Sequence, residues 1–278
     1  MKINLIGNSN IHYRFYTWDF FLEKQRNIGL QRIDLFGADP HVWIDCYSIS
    51  TNAKELREKA EDSGMKIQTF TPEFSSFRYA LGREGKAQDK SWEYVKRCFD
   101  FAKIIETPKI IFSINGFLLD RRKEECWGRT EQVIEELDKL SIEYDIDVLI
   151  GNHYEDQTDM VRTIEDMRCC MEWVNGGRIY PAVDTASVFH GSETLEEWFE
   201  IFGDKISHVN LSNTKFDGMR HCWGDGYLNL YDLMRVLDEH KYRGTLGTSF
   251  MVREYLSKPW EVDEKTREML EVVCTDEG

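Results

Sequence analysis

Eight short runs rich in branched and aromatic residues recur along this chain, each followed by a longer stretch with helical periodicity. The runs are INLIGN (3–8), QRIDLFG (31–37), KIQTFTP (66–72), KIIFSIN (109–115), DVLIGN (147–152), RIYPAVD (178–184), ISHVNLS (206–212) and GTLGTSF (244–250). Helices are predicted over 17–28, 53–64, 88–106, 123–143, 157–174, 193–202 and 229–240, with a last one near 262–273. In 88–106, Trp92, Val95, Phe99 and Ala102 fall on one stripe, the spacing by which a helix buries one face. Gly29, Gly64 and the Gly176–Gly177 pair stand where helices stop before strands. Strand–helix alternation without a break in composition predicts an α/β fold. Its parallel strands close into a barrel with the helices outside, as one domain over residues 1–278. A doubly wound open sheet is the alternative. It calls for a glycine-rich phosphate loop after the first strand, and IGNSNIHYRF is a poor one.

Such a barrel gathers its chemistry at the C-terminal strand ends. Asp184, which closes the sixth run, is a ligand contact or a helix cap. His153 follows Gly151 by two residues and so faces the same way, as a candidate base near neutral pH or a plain loop histidine. Glu73 is a general-base candidate or a salt-bridged loop acid. Arg220 suits an oxyanion through its fork of donors, or sits on the surface. His41, Asn152, His190, Asn210, Trp223 and Ser249 complete the candidate ligand contacts, with His221 in a loop at the same face. His208 precedes Asn210 by two and reads as a hydrogen-bonded core residue one layer lower. The aromatics near strand ends, Phe15, Tyr16, Trp18, Phe74, Phe77, Tyr79 and Phe117, are sugar-stacking surfaces or ordinary packing, with packing weighted first.

A formal charge of −15 argues against nucleic acid or an anionic membrane surface as partner. The opening MKINLIGNSN reads as neither a signal peptide nor a membrane span. Seven cysteines without a C-x-x-C pair fit a reduced, cytoplasmic protein and leave a cysteine-built zinc site unsupported.

Several stretches, in order and one per strand, carry a resemblance: IGLQRIDLFGADPHVWID, TFTPE, YPAVDT, ISHVNLSN, MRHCWGDGYLNL and HKYRGTLGTSF. Over roughly residues 10 to 255 the chain resembles the xylose-isomerase-like TIM-barrel family, in its sugar phosphate isomerase/epimerase and D-tagatose 3-epimerase-like branch. The resemblance implies a (β/α)8 barrel with one divalent metal held by a Glu on strand five, an Asp on strand six, a His on strand seven and a Glu on strand eight. The two glutamates also serve as the acid–base pair. Carried onto this chain, those positions are Gly151, Asp184, Asn210 and Ser249, so Asp184 alone is retained. A hard divalent ion needs several anionic oxygens or imidazoles to offset the loss of its water. The expectation is therefore a divergent or non-catalytic member that binds a carbohydrate-type small molecule, with no cofactor. The alternative is an active sugar (phosphate) isomerase/epimerase with a rebuilt or metal-free site using Asp184, Glu73 and a nearby histidine, or one that takes Mn, Co, Mg or Zn. A homodimer, or pairing with an active paralogue, is the expected association. A DNA-repair role like that of endonuclease IV is opposed by the net charge.

Overall fold

The computed structural model describes residues 5–44, 49–73, 79–154 and 159–275. In chain order the barrel strands are β1 (Ile6–Ser9), β2 (Arg32–Gly37), β3 (Lys66–Pro72), β4 (Lys109–Phe112), β5 (Asp147–Gly151), β6 (Ile179–Asp184) and β7 (His208–Asn210). An antiparallel hairpin of β8 (Asn213–Thr214) and β9 (Arg220–His221) follows. β10 (Thr245–Thr248) then pairs with β1 and β7 and closes the barrel. The helices are α1 (Trp18–Asn27), α2 (Ile49–Asp62), α3 (Lys86–Ile104), α4 (Lys123–Tyr144), α5 (Ile164–Glu172), α6 (Thr185–His190), α7 (Leu195–Phe202), α8 (Leu230–Glu239) and α9 (Pro259–Thr275). The expected closed parallel barrel is the observed fold.

Strand alternation divides the apolar residues between two layers. The main core lies between strands and helices, where Phe70, Phe112 and Val183 meet Phe99, Leu137 and Trp198. Inside the barrel the apolar set is small: Ile111, Leu149 and Ala182, with Tyr180 against them. The rest of the lumen is polar, with Lys109 Nζ donating to the Ser207 carbonyl (2.8 Å) and to Thr245 Oγ1 (3.2 Å).

Local chemistry sets the helix starts. Thr163 with Asp166, and Thr194 with Glu197, form reciprocal capping boxes, each satisfying two otherwise orphaned donors. The first of these corrects the sequence reading: the helix predicted from 157 begins at Ile164, because Thr163 caps it there. Two elements escaped the sequence pattern, the six-residue α6 and the β8–β9 hairpin, both too short for a periodic signal. No helix among the described residues is long and apolar enough to cross a membrane.

A buried clasp ties the first βα loop to the last helix. Asp263 of α9 accepts from Tyr13 Oη (2.6 Å) and Gln25 Nε2 (2.7 Å) at Oδ2, and its Oδ1 lies 2.7 Å from His12 Nε2. Asp263→Ala strands three buried donors, each costing about 1–3 kcal/mol when left unmade. The expected loss in a denaturant titration is at least about 3 kcal/mol, with Asp263→Asn, which keeps one acceptor, in between. Equal stability of wild type and Asp263→Ala would show that the clasp contributes nothing.

Candidate functional site

A cavity of about 450 Å³ opens at the C-terminal strand ends. Ser9, Phe36, Glu73, Asn115, His153 and Ser249 mark its mouth, and Asp34, Thr69, Ile111 and His208 line it deeper in the barrel. Asp184, at the end of β6, is a charge held by three hydrogen bonds. Its Oδ1 accepts from the Ser187 amide (3.0 Å) and so caps α6. Its Oδ2 accepts from Arg220 Nε (3.0 Å) and from Asn210 Nδ2. The two readings of Asp184 thus merge, since the helix cap also lines the cavity.

The residues at the four strand-end positions converge as the sequence alignment requires, with different chemistry. Asn210 Nδ2 also reaches Ser249 Oγ (2.8 Å) and Ser212 Oγ (2.9 Å). Arg220, brought in by β9, directs Nη2 at His153 Nδ1 (3.4 Å) and Nη1 at Met251 Sδ (3.0 Å). The missing side chain at 151 has a spatial cause: a Cβ there would lie 2.6 Å from His153 Nε2, so the histidine ring occupies the room. Asn152 accepts from the Asp184 amide at Oδ1 (2.7 Å), while its buried Nδ2 has no partner among the described residues.

Electrostatics follow from these contacts. Burial pushes the Asp184 carboxyl up, but Arg220, the Ser187 amide, His153 and Asn210 outweigh it and hold the group below its ordinary value. His208 is driven down to about 3, by burial first and then by Lys109, so it is a neutral imidazole, held at Nδ1 by Thr245 Oγ1 (2.9 Å). Among the described residues no group of three or more His, Cys, Asp or Glu can hold a metal ion. At the aligned positions a glycine, an amide and a hydroxyl accompany one carboxylate already matched by a guanidinium, and this donor set does not fit a divalent ion.

Of the candidates, Glu73, Asn152, His153, Asp184, Asn210, Arg220 and Ser249 line the cavity, Glu73 as an exposed group at the rim. Three others do not. His41 is buried behind the first loop, with Nδ1 on Asn10 Nδ2 and Nε2 donating to the Tyr16 carbonyl, both at 2.9 Å. His190 bonds Thr214 Oγ1 (2.9 Å) and stacks on Tyr154. Trp223 is fully buried and donates to the Leu211 carbonyl (3.1 Å), which makes it core. His221 pairs with Asp217 (2.8 Å) in the hairpin. Phe74 and Phe77 lie outside the described residues. The sequence reading passed over Thr69 and Asp159, and placed Asp34 and Asn115 at strand ends without giving them a role; all four line the cavity. A signal existed for Asp34, an acid in the middle of an otherwise apolar strand.

Comparison with known proteins places the barrel in a family. The family model described as xylose isomerase-like TIM barrel matches residues 22–272. Fructoselysine 3-epimerase of Shigella flexneri is 23% identical over 237 residues, 84% of this chain and 84% of that protein. Inosose dehydratase of Bacillus velezensis is 23% identical over 199 residues, 62% of this chain and 64% of its own. An L-ribulose 3-epimerase structure superimposes with a TM-score of 0.80 at 14% identity, covering 97% of this chain and 94% of that one, a likeness of fold.

Arg220→Met tests the buried pair. With the guanidinium gone, burial dominates and the Asp184 value rises. A carboxyl whose folded value lies above its unfolded one opposes folding at neutral pH and ceases to do so once protonated. The expected penalty is about 3–5 kcal/mol near pH 7, shrinking as the pH falls through the ordinary carboxylate range. A pH-independent penalty in urea melts would contradict the assignment.

Proposed function

We propose, for a chain that belongs to the xylose isomerase-like TIM barrel family, that the cavity binds a ketose-like, polyhydroxylated small molecule, and that binding does not pass through a divalent metal. The observation that carries this reading is the Asp184–Arg220 pair: the one retained acidic position has its charge matched by a guanidinium at 3.0 Å, with an amide and a hydroxyl beside it. Ligand class is supported by the relatives, whose names specify fructoselysine and L-ribulose as substrates. The lining supports it as well. Arg220, Asn115, Asn152, Asn210, Ser249 and Thr71 set donors and acceptors on a wall that also holds Phe36 and Ile111, the mixture on which hydroxyl groups and a carbon skeleton both find partners.

In this reading Arg220 and the amide groups orient ligand oxygens, and Asp184 holds Arg220 in place while capping α6. The glutamate pair implied by the resemblance is replaced by Gly151 and Ser249, so no proton transfer is assigned to those positions. This supports a divergent or non-catalytic member. A second reading, an active isomerase or epimerase, is favoured by one observation, that Glu73, Asp184 and His153 share the cavity. Asp184 is a poor base there, because its partners stabilise the charged form. The free thiols of the described cysteines support a cytoplasmic setting.

Isothermal titration with fructoselysine, D-fructose and L-ribulose tests the proposal, in EDTA and again with manganese. The expected result is binding of at least one ketose with the same affinity in both buffers, and no manganese isotherm for the protein alone. Ketose binding that appears only with manganese, or a tight manganese site, would establish the rebuilt-metal reading instead.

A further inference from the structure

We propose that Asp34 is the acid–base residue of this cavity, the group that takes and returns a proton at the carbon beside a ligand's carbonyl. The inference rests on the ketose reading and deepens it, placing proton transfer on strand two, deeper in the barrel, and not at the strand-end cluster.

Three strands are shaped around this carboxyl. The β2–β3 register shifts between Ile33 and Asp34, which pair with Ile67 and Thr69, so Gln68 is an extra residue in β3. Such a bulge re-aims side chains. Here both Thr69 Oγ1 (2.5 Å) and Gln68 Nε2 (3.1 Å) donate to Oδ1, with Gln68 braced on the Leu246 carbonyl (2.7 Å). On the other side of β2, Gly7 of the neighbouring strand β1 and Gly247 of β10 are register partners, and a Cβ at either would overlap Oδ2. That oxygen is buried and has no hydrogen-bond partner among the described residues. A carboxylate kept only for structure would have both oxygens matched. This one has two donors on one oxygen, none on the other, and lines the cavity.

The charged and titratable groups facing Asp34 are Lys109 of β4, the neutral His208 of β7, and Tyr242 before β10. The Gly247 position separates Oδ2 from the His208 ring, whose Cε1 lies 3.0 Å from a Cβ built there. Lys109 acts from a distance, because its own bonds go to Ser207 and Thr245. Burial pushes Asp34 up to about 6, partly offset by Thr69, Gln68 and Lys109. Near neutral pH it therefore exchanges a proton with little driving-force penalty, as a general base requires. In the forward step the C–H bond beside the carbonyl breaks and an O–H bond forms on Asp34. The electron pair moves onto the carbonyl oxygen, whose charge meets hydrogen-bond donors of the cavity lining. Return of the proton to that carbon reverses the step. No oxidant, reductant or metal enters the balance.

The test uses the whole protein in D2O with EDTA, with D-fructose and fructoselysine as probes. NMR follows deuterium uptake at the carbons flanking the carbonyl, and calorimetry measures probe binding. The expected wild-type uptake rises with pH through a midpoint near that of Asp34. Asp34→Asn should bind the probes within about threefold, yet lose uptake by about 10²–10⁴-fold, the range for a general base. Thr69→Val keeps the carboxyl but removes a hydrogen bond that favours its charged form, so it should retain uptake with a midpoint at higher pH, a readout independent of whether Asp34→Asn folds. Probes that bind without wild-type uptake overturn the Asp34 assignment and leave the ligand reading standing. So does uptake within tenfold of wild type in Asp34→Asn, or an unmoved midpoint in Thr69→Val. Failure of the wild type to bind either probe overturns the ligand reading and this inference with it.

Discussion

A carboxylate buried at the barrel mouth is costly to keep charged without a cation beside it. Asp184 meets that requirement through Arg220, and much of the surrounding architecture follows. The β8–β9 hairpin must return to the barrel to deliver the guanidinium. Asn210 must present its amide nitrogen to Oδ2, and α6 must begin where Oδ1 can cap it. Family resemblance implies a metal as the cation at this position. A guanidinium differs from a metal in being covalently tethered, in carrying one charge and in needing fewer anionic partners. The neutrality of Asn210 and Ser249 is consistent with that: extra carboxylates there would meet only one positive charge.

The barrel was legible because it depends on repetition. Each strand run carries apolar residues for the sheet–helix layer, and each helix carries one stripe, so the fold can be read without knowing a single contact. The strand-end register was equally legible, since β6 and β7 place Asp184 beside Asn210 by simple pairing. Loop side chains were not. His41, His190 and Trp223 sit in segments whose sequence suits a pocket wall, yet each turns to a carbonyl, an amide or a hydroxyl of a neighbouring loop. Buried polar groups take the nearest partner, and which partner is nearest is a tertiary fact. Asp34 was missed for a different reason. Its surroundings depend on one inserted residue in β3 and on glycines far apart in sequence, and no local pattern reports their convergence.

The cavity thus has two polar tiers. At the mouth, charge is settled: Asp184 is held ionised and Arg220 is fixed to it. Below, Asp34 is poised to exchange a proton beside an imidazole kept neutral by burial and by Lys109. Ile111 and Ala182 add an apolar patch to the same lining.

The histidine ring seated over Gly151 has a consequence for how this chain can change. Any side chain at 151 must contend with the ring of residue 153 before it contends with anything else. A side chain at 151 therefore has to displace the ring of residue 153, so the two positions are coupled and a change at one is felt at the other. Restoring a longer side chain at 151 is then a two-site change, in which one imidazole and one absent methyl group have to be exchanged together.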